Sequence, residues 1–181
     1  MAHPEQRQFF ERVKQRFPDH FRDVKVLDVG SLDVNGNLRG VFEYPFWYTG
    51  VDIAHGKNVD IVCPGHLFDA GFQYETVISA ECLEHDMFWR RTLRNMVRLT
   101  CCCGLMAFSC ATTGRKEHGT YNCEPQSAPL LRLVSNEWAN YYRNITEDDV
   151  RSALSVEDEF SEHEFEVNEK THDLYFWGIR R

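Results

Sequence analysis

Val26-Leu-Asp-Val-Gly-Ser-Leu-Asp-Val-Asn-Gly-Asn37, followed by Tyr48-Thr-Gly-Val-Asp-Ile53, decides the fold class. The first stretch reads as an apolar strand running into a glycine-bearing loop. The second reads as another strand that ends in an aspartate. Together they describe how an α/β sheet holds a nucleoside. Glycines let the ligand approach the backbone, and an acid at the tip of the second strand accepts the ribose hydroxyls. Gly30 and Asp52 stand 22 positions apart, close to the roughly 20 expected of that fingerprint. The loop is not the G-x-G-x-x-G of dinucleotide enzymes, because the next glycine after Gly30 is Gly36. Asp28 and Asp33 bring negative charge to its mouth, which suits an ammonium or sulfonium ligand better than a pyrophosphate.

Outward from this loop, strands and helices alternate. Phe9, Phe10, Val13 and Phe17 fall at helical spacing, so a helix is expected over residues 4–17, closed by Pro18. Strands are expected at 24–29, 47–53, 59–62, 75–80 and 105–111. Short helices are expected at 35–42 and 67–71, and a longer one at 87–100. Thr146-Glu-Asp-Asp149 starts a helix to about Leu154. The runs 164–168 and 174–179 pair as an antiparallel hairpin. The order predicts a mostly parallel seven-stranded sheet with helices on both faces and an antiparallel C-terminal hairpin. Residues 112–145 mix Gly, Asn, Ser, Thr and Pro with aromatic residues and read as a long substrate-side loop or lid. One domain covers 1–181, with 1–22 as its N-terminal helical segment.

Bulk composition limits the partners. The chain has 181 residues, 43% hydrophobic and 13% aromatic, with a formal net charge of −8. It carries no basic run, so nucleic acid is not an expected partner. No stretch is long and apolar enough for a membrane span, and Met1–Arg12 holds no signal-like apolar core, so a cytoplasmic protein is expected. Seven cysteines include adjacent Cys101, Cys102 and Cys103, which is no secreted disulfide framework. A zinc site from Cys101, Cys103, Cys110, Cys123 and His118 lacks any C-x-x-C pair, so no metal is expected.

A third stretch, Tyr74-Glu-Thr-Val-Ile-Ser-Ala-Glu-Cys-Leu-Glu-His85, completes a set. With Val26–Gly30 and Gly50–Ile53 in register, it resembles the class I S-adenosylmethionine-dependent methyltransferases. Within them it is similar to the small bacterial type-11-like group, whose fourth-strand segment reads F-D-x-V-x-x-x-x-x-L-E-H. The resemblance is strong over residues 24–112 and implies a Rossmann-like methyltransferase fold. It also implies S-adenosylmethionine as cofactor and S-adenosylhomocysteine as product. The family's first loop usually carries more glycines; here Ser31, Leu32, Asp33 and Val34 replace them, and Asn35-Gly36 supplies a later turn.

Residue roles follow from the resemblance. Asp28 is expected at the methionine ammonium, and Gly30, Ser31, Asn35 and Gly36 along the cofactor. Asp52 is expected on the ribose, Ile53 on the adenine face, and Gly65 and His66 at the adenine edge. Ser79, Ala80 and Glu81 are expected beside the methionine part and the transferred methyl. Glu81, His85 and His118 are the candidate catalytic groups, since carboxylate and imidazole can orient an acceptor or take its proton. Glu117, His118, Tyr121, Trp138 and Tyr142 are the candidate substrate contacts. The expected acceptor is a small molecule or a sugar or glycan precursor. Two rivals remain open: a methyltransferase-like protein that binds the nucleoside without catalysis, and a nicotinamide oxidoreductase. The second lacks both the glycine fingerprint and a hydride-transfer dyad.

Overall fold

The apolar runs of the sequence line up in one seven-stranded sheet in the computed structural model, which describes residues 4–181. The first three residues of the expected N-terminal segment lie outside the described residues. The strands are β1 (Lys25–Val29), β2 (Trp47–Asp52), β3 (Ile61–Val62), β4 (Tyr74–Ala80), β5 (Thr100–Ala111), β6 (Phe160–Asn168) and β7 (Asp173–Arg180). Their order across the sheet is β3-β2-β1-β4-β5-β7-β6. β1 to β5 run parallel, and β7 runs antiparallel to both β5 and β6. The expected mixed sheet and C-terminal hairpin are both present.

Alternation along the central strands splits the core in two. Leu27, Val29, Val77 and Phe108 face one layer, which α2 (Trp89–Leu99) and α5 (Glu147–Ala153) cover with Leu93, Met96 and Val150. Val26, Ile78, Leu105 and Ala107 face the other layer, which α1 (Pro4–Arg16) covers with Phe9, Phe10 and Val13. Thr146 caps α5 in a capping box with Asp149, as its sequence suggests. No helix among the described residues is long and apolar enough to cross a membrane.

Four segments depart from the sequence expectation. Residues 35–42 form only a single 3₁₀ turn, Arg39–Val41. Here Asp33 accepts hydrogen bonds from the Gly36 amide (2.8 Å) and the Asn37 side chain (3.0 Å), a local bonding pattern that competes with helix. Residues 67–71 form no helix: a turn closed by the Leu67 amide on the Pro64 carbonyl comes first, and the few residues left before Gly71 cannot repay helix nucleation. β5 starts five residues early and takes in Cys101–Cys103, with a register shift against β4 between Tyr74 and Thr76. All seven cysteines are free. The loop at 112–145 contains two single-turn helices, α3 (Leu131–Val134) and α4 (Asn136–Ala139). A further short helix, α6 (Val156–Glu159), precedes β6.

Phe10 is fully buried between α1 and the sheet. Phe10→Ala should lower unfolding free energy by about 3–5 kcal/mol, the usual cost of emptying such a site. Urea denaturation measures this, and a loss below about 1 kcal/mol would mean that α1 adds little to the fold.

Candidate functional site

The sheet order reverses direction between β1 and β4, and parallel sheets open a crevice at the carboxyl ends of the strands at such a point. A cleft lies there. Val29 and Gly30 line it from β1, Val51, Asp52 and Ile53 from β2, and Glu81 and Cys82 from the end of β4. Leu32, Val34 and Gly65 extend its wall, while Ser127 to Leu131 and Trp138 close over it from the long loop. Its empty space is about 660 Å³ counted out into open solvent.

Gly30 has φ +82°, a left-handed conformation. A Cβ on it would lie 2.3 Å from the Cys82 Cβ, so the tight neighbour is β4's own turn as well as any ligand. Asp52 closes the ring of the cleft. Its carboxylate accepts the amides of Leu32 (3.0 Å) and Ile53 (2.8 Å), which fixes the loop to the strand tip. Burial raises its pKa against those two bonds. A carboxylate offers about four acceptor sites, so it retains capacity for a pair of hydroxyls.

A second cavity adjoins the first, with about 960 Å³ of empty space counted the same way. Gly114 to His118, Glu124 and His172 line it. Glu81, His85 and Ser127 line both cavities, so the two meet there. Glu81 sits at φ +51° straight after β4, which turns its side chain into this junction. Burial, then the charges of Glu84 and Asp173, push its carboxyl well above the carboxylate range. The Arg115 guanidinium lies 3.1 Å from Asp173 and 3.9 Å from Glu81. Burial first, then the His118 charge, lowers the His85 imidazole to about 3. His85 is therefore neutral at ordinary pH and a weak proton acceptor.

The other expected residues divide plainly. Ile53 and Gly65 reach the cleft, as does Trp138, while Glu117 and His118 reach the second cavity. Asp28 does not line the cleft. Its alternation places it on the α1 side with Val26, where it accepts the Tyr48 hydroxyl at 2.8 Å. Ser31 donates to the Asn58 carbonyl (3.1 Å), and Asn35 and Gly36 lie in the turn held by Asp33, outside the lining. His66 packs on Phe88, with ring centroids 4.3 Å apart. Ser79 ties β4 to β1 through the Val29 carbonyl (2.8 Å), and Ala80 packs against the α1-side core. Tyr121 is exposed and lines neither cavity. Tyr142 stands behind the pocket, 5.0 Å from His118 and 5.6 Å from His85 between ring centroids.

Sequence reading missed the apolar roof at Ser127–Leu131 and the buried acid Glu84. A signal existed for Glu84: it stands three residues after Glu81 and immediately before His85.

No protein-family model matches the sequence, and no curated protein matches it either. Solved structures do match. The N-methyltransferase NodS from Bradyrhizobium japonicum WM9 aligns over 99% of this chain and 98% of its own, with a TM-score of 0.61 and 14% identity. A Burkholderia thailandensis 1,6-didemethyltoxoflavin-N1-methyltransferase aligns over 96% and 77%, with a TM-score of 0.62 and 14% identity. The fold is that of the class I S-adenosylmethionine-dependent methyltransferases. Magnesium protoporphyrin IX methyltransferase from Synechocystis PCC 6803, solved with bound S-adenosylmethionine, shares this methyltransferase fold at a TM-score of 0.59 and 14% identity over 97% of this chain and 79% of its own. So does the cyclase SpnF, at a TM-score of 0.58 and 14% identity over 88% of this chain and 60% of its own. The fold thus hosts more than one chemistry, and the site must carry the functional assignment.

The Asp28–Tyr48 pair gives a stability signature. Burial pushes the Asp28 carboxyl up to about 6, with the Tyr48 hydroxyl and then the Arg39 charge pulling it partly back. The folded chain keeps a proton there that the unfolded chain releases near pH 4, so this group's contribution to stability falls as pH rises from about 4 to about 6. Asp28→Asn should remove that fall, reducing the change in unfolding free energy across the interval by roughly 3 kcal/mol. Parallel urea titrations at pH 4 and 7 read the difference, and an unchanged pH slope would refute the assignment.

Proposed function

We propose that this protein transfers a methyl group from S-adenosylmethionine to a small acceptor held in the second cavity. The observation that carries the reading is the junction at Glu81 and His85. There a cleft with a carboxylate at its strand tip opens into a pocket lined by charged side chains on the loop side. When bound, the cofactor supplies an electrophilic methyl, passed by in-line displacement to a nucleophilic oxygen, nitrogen or carbon and leaving S-adenosylhomocysteine.

The chain's own residues account for the rest. Asp52 takes the ribose hydroxyls, and Ile53, Val34 and Leu131 offer apolar surface to the adenine. Gly30 and Cys82 form the floor beneath the methionine portion. Burial favours the protonated carboxyl of Glu81, which orients the acceptor by hydrogen bonding. Glu117, His118 and Arg115 contact the acceptor from the loop, and Trp138 covers the cleft. Holding two reactants in one geometry is worth roughly 7–11 kcal/mol of barrier, so positioning carries most of the catalysis. His85 is too weakly basic to serve as the main proton acceptor. An acceptor that needs deprotonation relies on water. Charged side chains line the cavity, which fits a polar small metabolite or a sugar or glycan precursor.

Calorimetry with S-adenosylmethionine, followed by detection of S-adenosylhomocysteine over an acceptor panel, tests this reading. Asp52→Ala should weaken cofactor binding by about 1.5–3 kcal/mol, roughly 10- to 150-fold. A melting curve checks that the Leu32 loop contact is not the cause. Unchanged affinity would remove the ribose from Asp52. Tight binding with no turnover on any acceptor would favour a nucleoside-binding protein without catalysis.

A further inference from the structure

Beneath the wall that His85 and His118 give the second cavity lies an arrangement that methyl transfer alone does not require. Glu84 is fully buried, and no side chain hydrogen-bonds its carboxylate; the amides of Glu84 and Ala111 are its nearby donors. His85 Nδ1 is buried and unpartnered. Ligand atoms from Glu84, His85 and His118 all lie within 4.8 Å of one another. Both oxygens of Glu81, which lines the cavity, are buried without a hydrogen bond. Burying two carboxyls so sparsely hydrogen-bonded costs free energy in either protonation state, and here they sit beside two imidazoles. Arg115, paired with Asp173, offsets part of that cost at Glu81.

We infer that Glu84, His85 and His118 form a binding site for one divalent transition-metal cation, opening onto the second cavity. Three donors bound to one ion at about 2.0–2.2 Å lie roughly 3.3–3.8 Å apart, so from the 4.8 Å limit the three draw in by about an ångström. The surroundings are already set for ligation. The His118 Nδ1 lies 3.1 Å from the Lys116 carbonyl, an acceptor only, so that bond requires the Nδ1–H tautomer and leaves the Nε2 lone pair free. The His85 ring is wedged against Gly119, where a Cβ would stand 2.6 Å from Cε1. Its orientation is therefore held by backbone. Gly119 takes φ +71°, which lets the loop reach back over the ring.

Two imidazoles and one carboxylate select manganese, iron, cobalt or zinc over magnesium or calcium, which prefer all-oxygen shells. Glu81 stands next to the site as a further oxygen. The remaining coordination positions face the cavity, where water or an oxygen of the acceptor completes the shell. That last role rests on the methyl-transfer reading; the binding of the ion does not.

The test is a Mn²⁺ titration of the chelator-treated full chain, with no cofactor or acceptor present, following free Mn²⁺ by electron paramagnetic resonance. Manganese is chosen because the seven free cysteines would take up zinc indiscriminately. One Mn²⁺ per chain is expected, with affinity weakened at least about tenfold by His118→Ala and by Glu84→Gln. His118 is a half-buried loop residue, so its variant keeps the fold, checked by melting temperature, even where Glu84→Gln does not. Absence of saturable binding at millimolar Mn²⁺, or equal binding by His118→Ala, overturns the proposal. Failure here leaves cofactor binding untouched, and a chain that binds Mn²⁺ but no S-adenosylmethionine refutes only the methyl-transfer reading.

Discussion

Two strand ends touch at the centre of this molecule, and the site depends on that contact. β1 leaves the sheet through Gly30 at φ +82°, and β4 leaves through Glu81 at φ +51°. The turns press together so closely that a methyl group on Gly30 would overlap Cys82. Each strand must therefore peel away from the other. β1 continues toward Asp52, whose carboxylate catches the Leu32 amide and holds the departing loop. β4 continues into the buried turn Leu83–His85. The cleft is the space between these two departures. Left-handed backbone at a non-glycine residue costs on the order of 1–3 kcal/mol, and Glu81 is the residue that bears it.

The frame was legible because its signals are strong and local. Val26–Val29, Val51 and Val77–Ile78 are apolar runs bounded by turn residues, and no other element explains them. The helices expected at 35–42 and 67–71 were misread because helical propensity over so few residues loses to a single well-placed side chain or a nearby glycine. Asp33 shows the first effect and Gly71 the second. β5 ran longer than expected because Thr100 pairs with Tyr74 of β4, while Cys101–Cys103 lie in the irregularity between that pair and Leu105.

The candidate site divides on similar lines. Asp52, Gly30 and Glu81 end strands, and strand ends point at the crevice whatever the loops do. Asp28 could have been placed correctly from alternation alone: Leu27 and Val29 face the α2 side, so Asp28 must face α1. Ser127–Leu131 gave no such clue. A Pro-Leu-Leu run in a loop looks the same whether it roofs a ligand or a small core. His118 joins Glu84 and His85 only through tertiary folding, so no spacing in the sequence marks the three as neighbours.

Ser127 belongs to both cavities, at the head of a five-residue segment that also forms the roof of the first. A ligand settling in either space pushes on the same piece of chain. Thermodynamic reciprocity then binds the two occupants together: whatever factor the first adds to the second's affinity, the second returns to the first. A substitution in this segment that changes the affinity for one occupant is therefore placed to change that for the other.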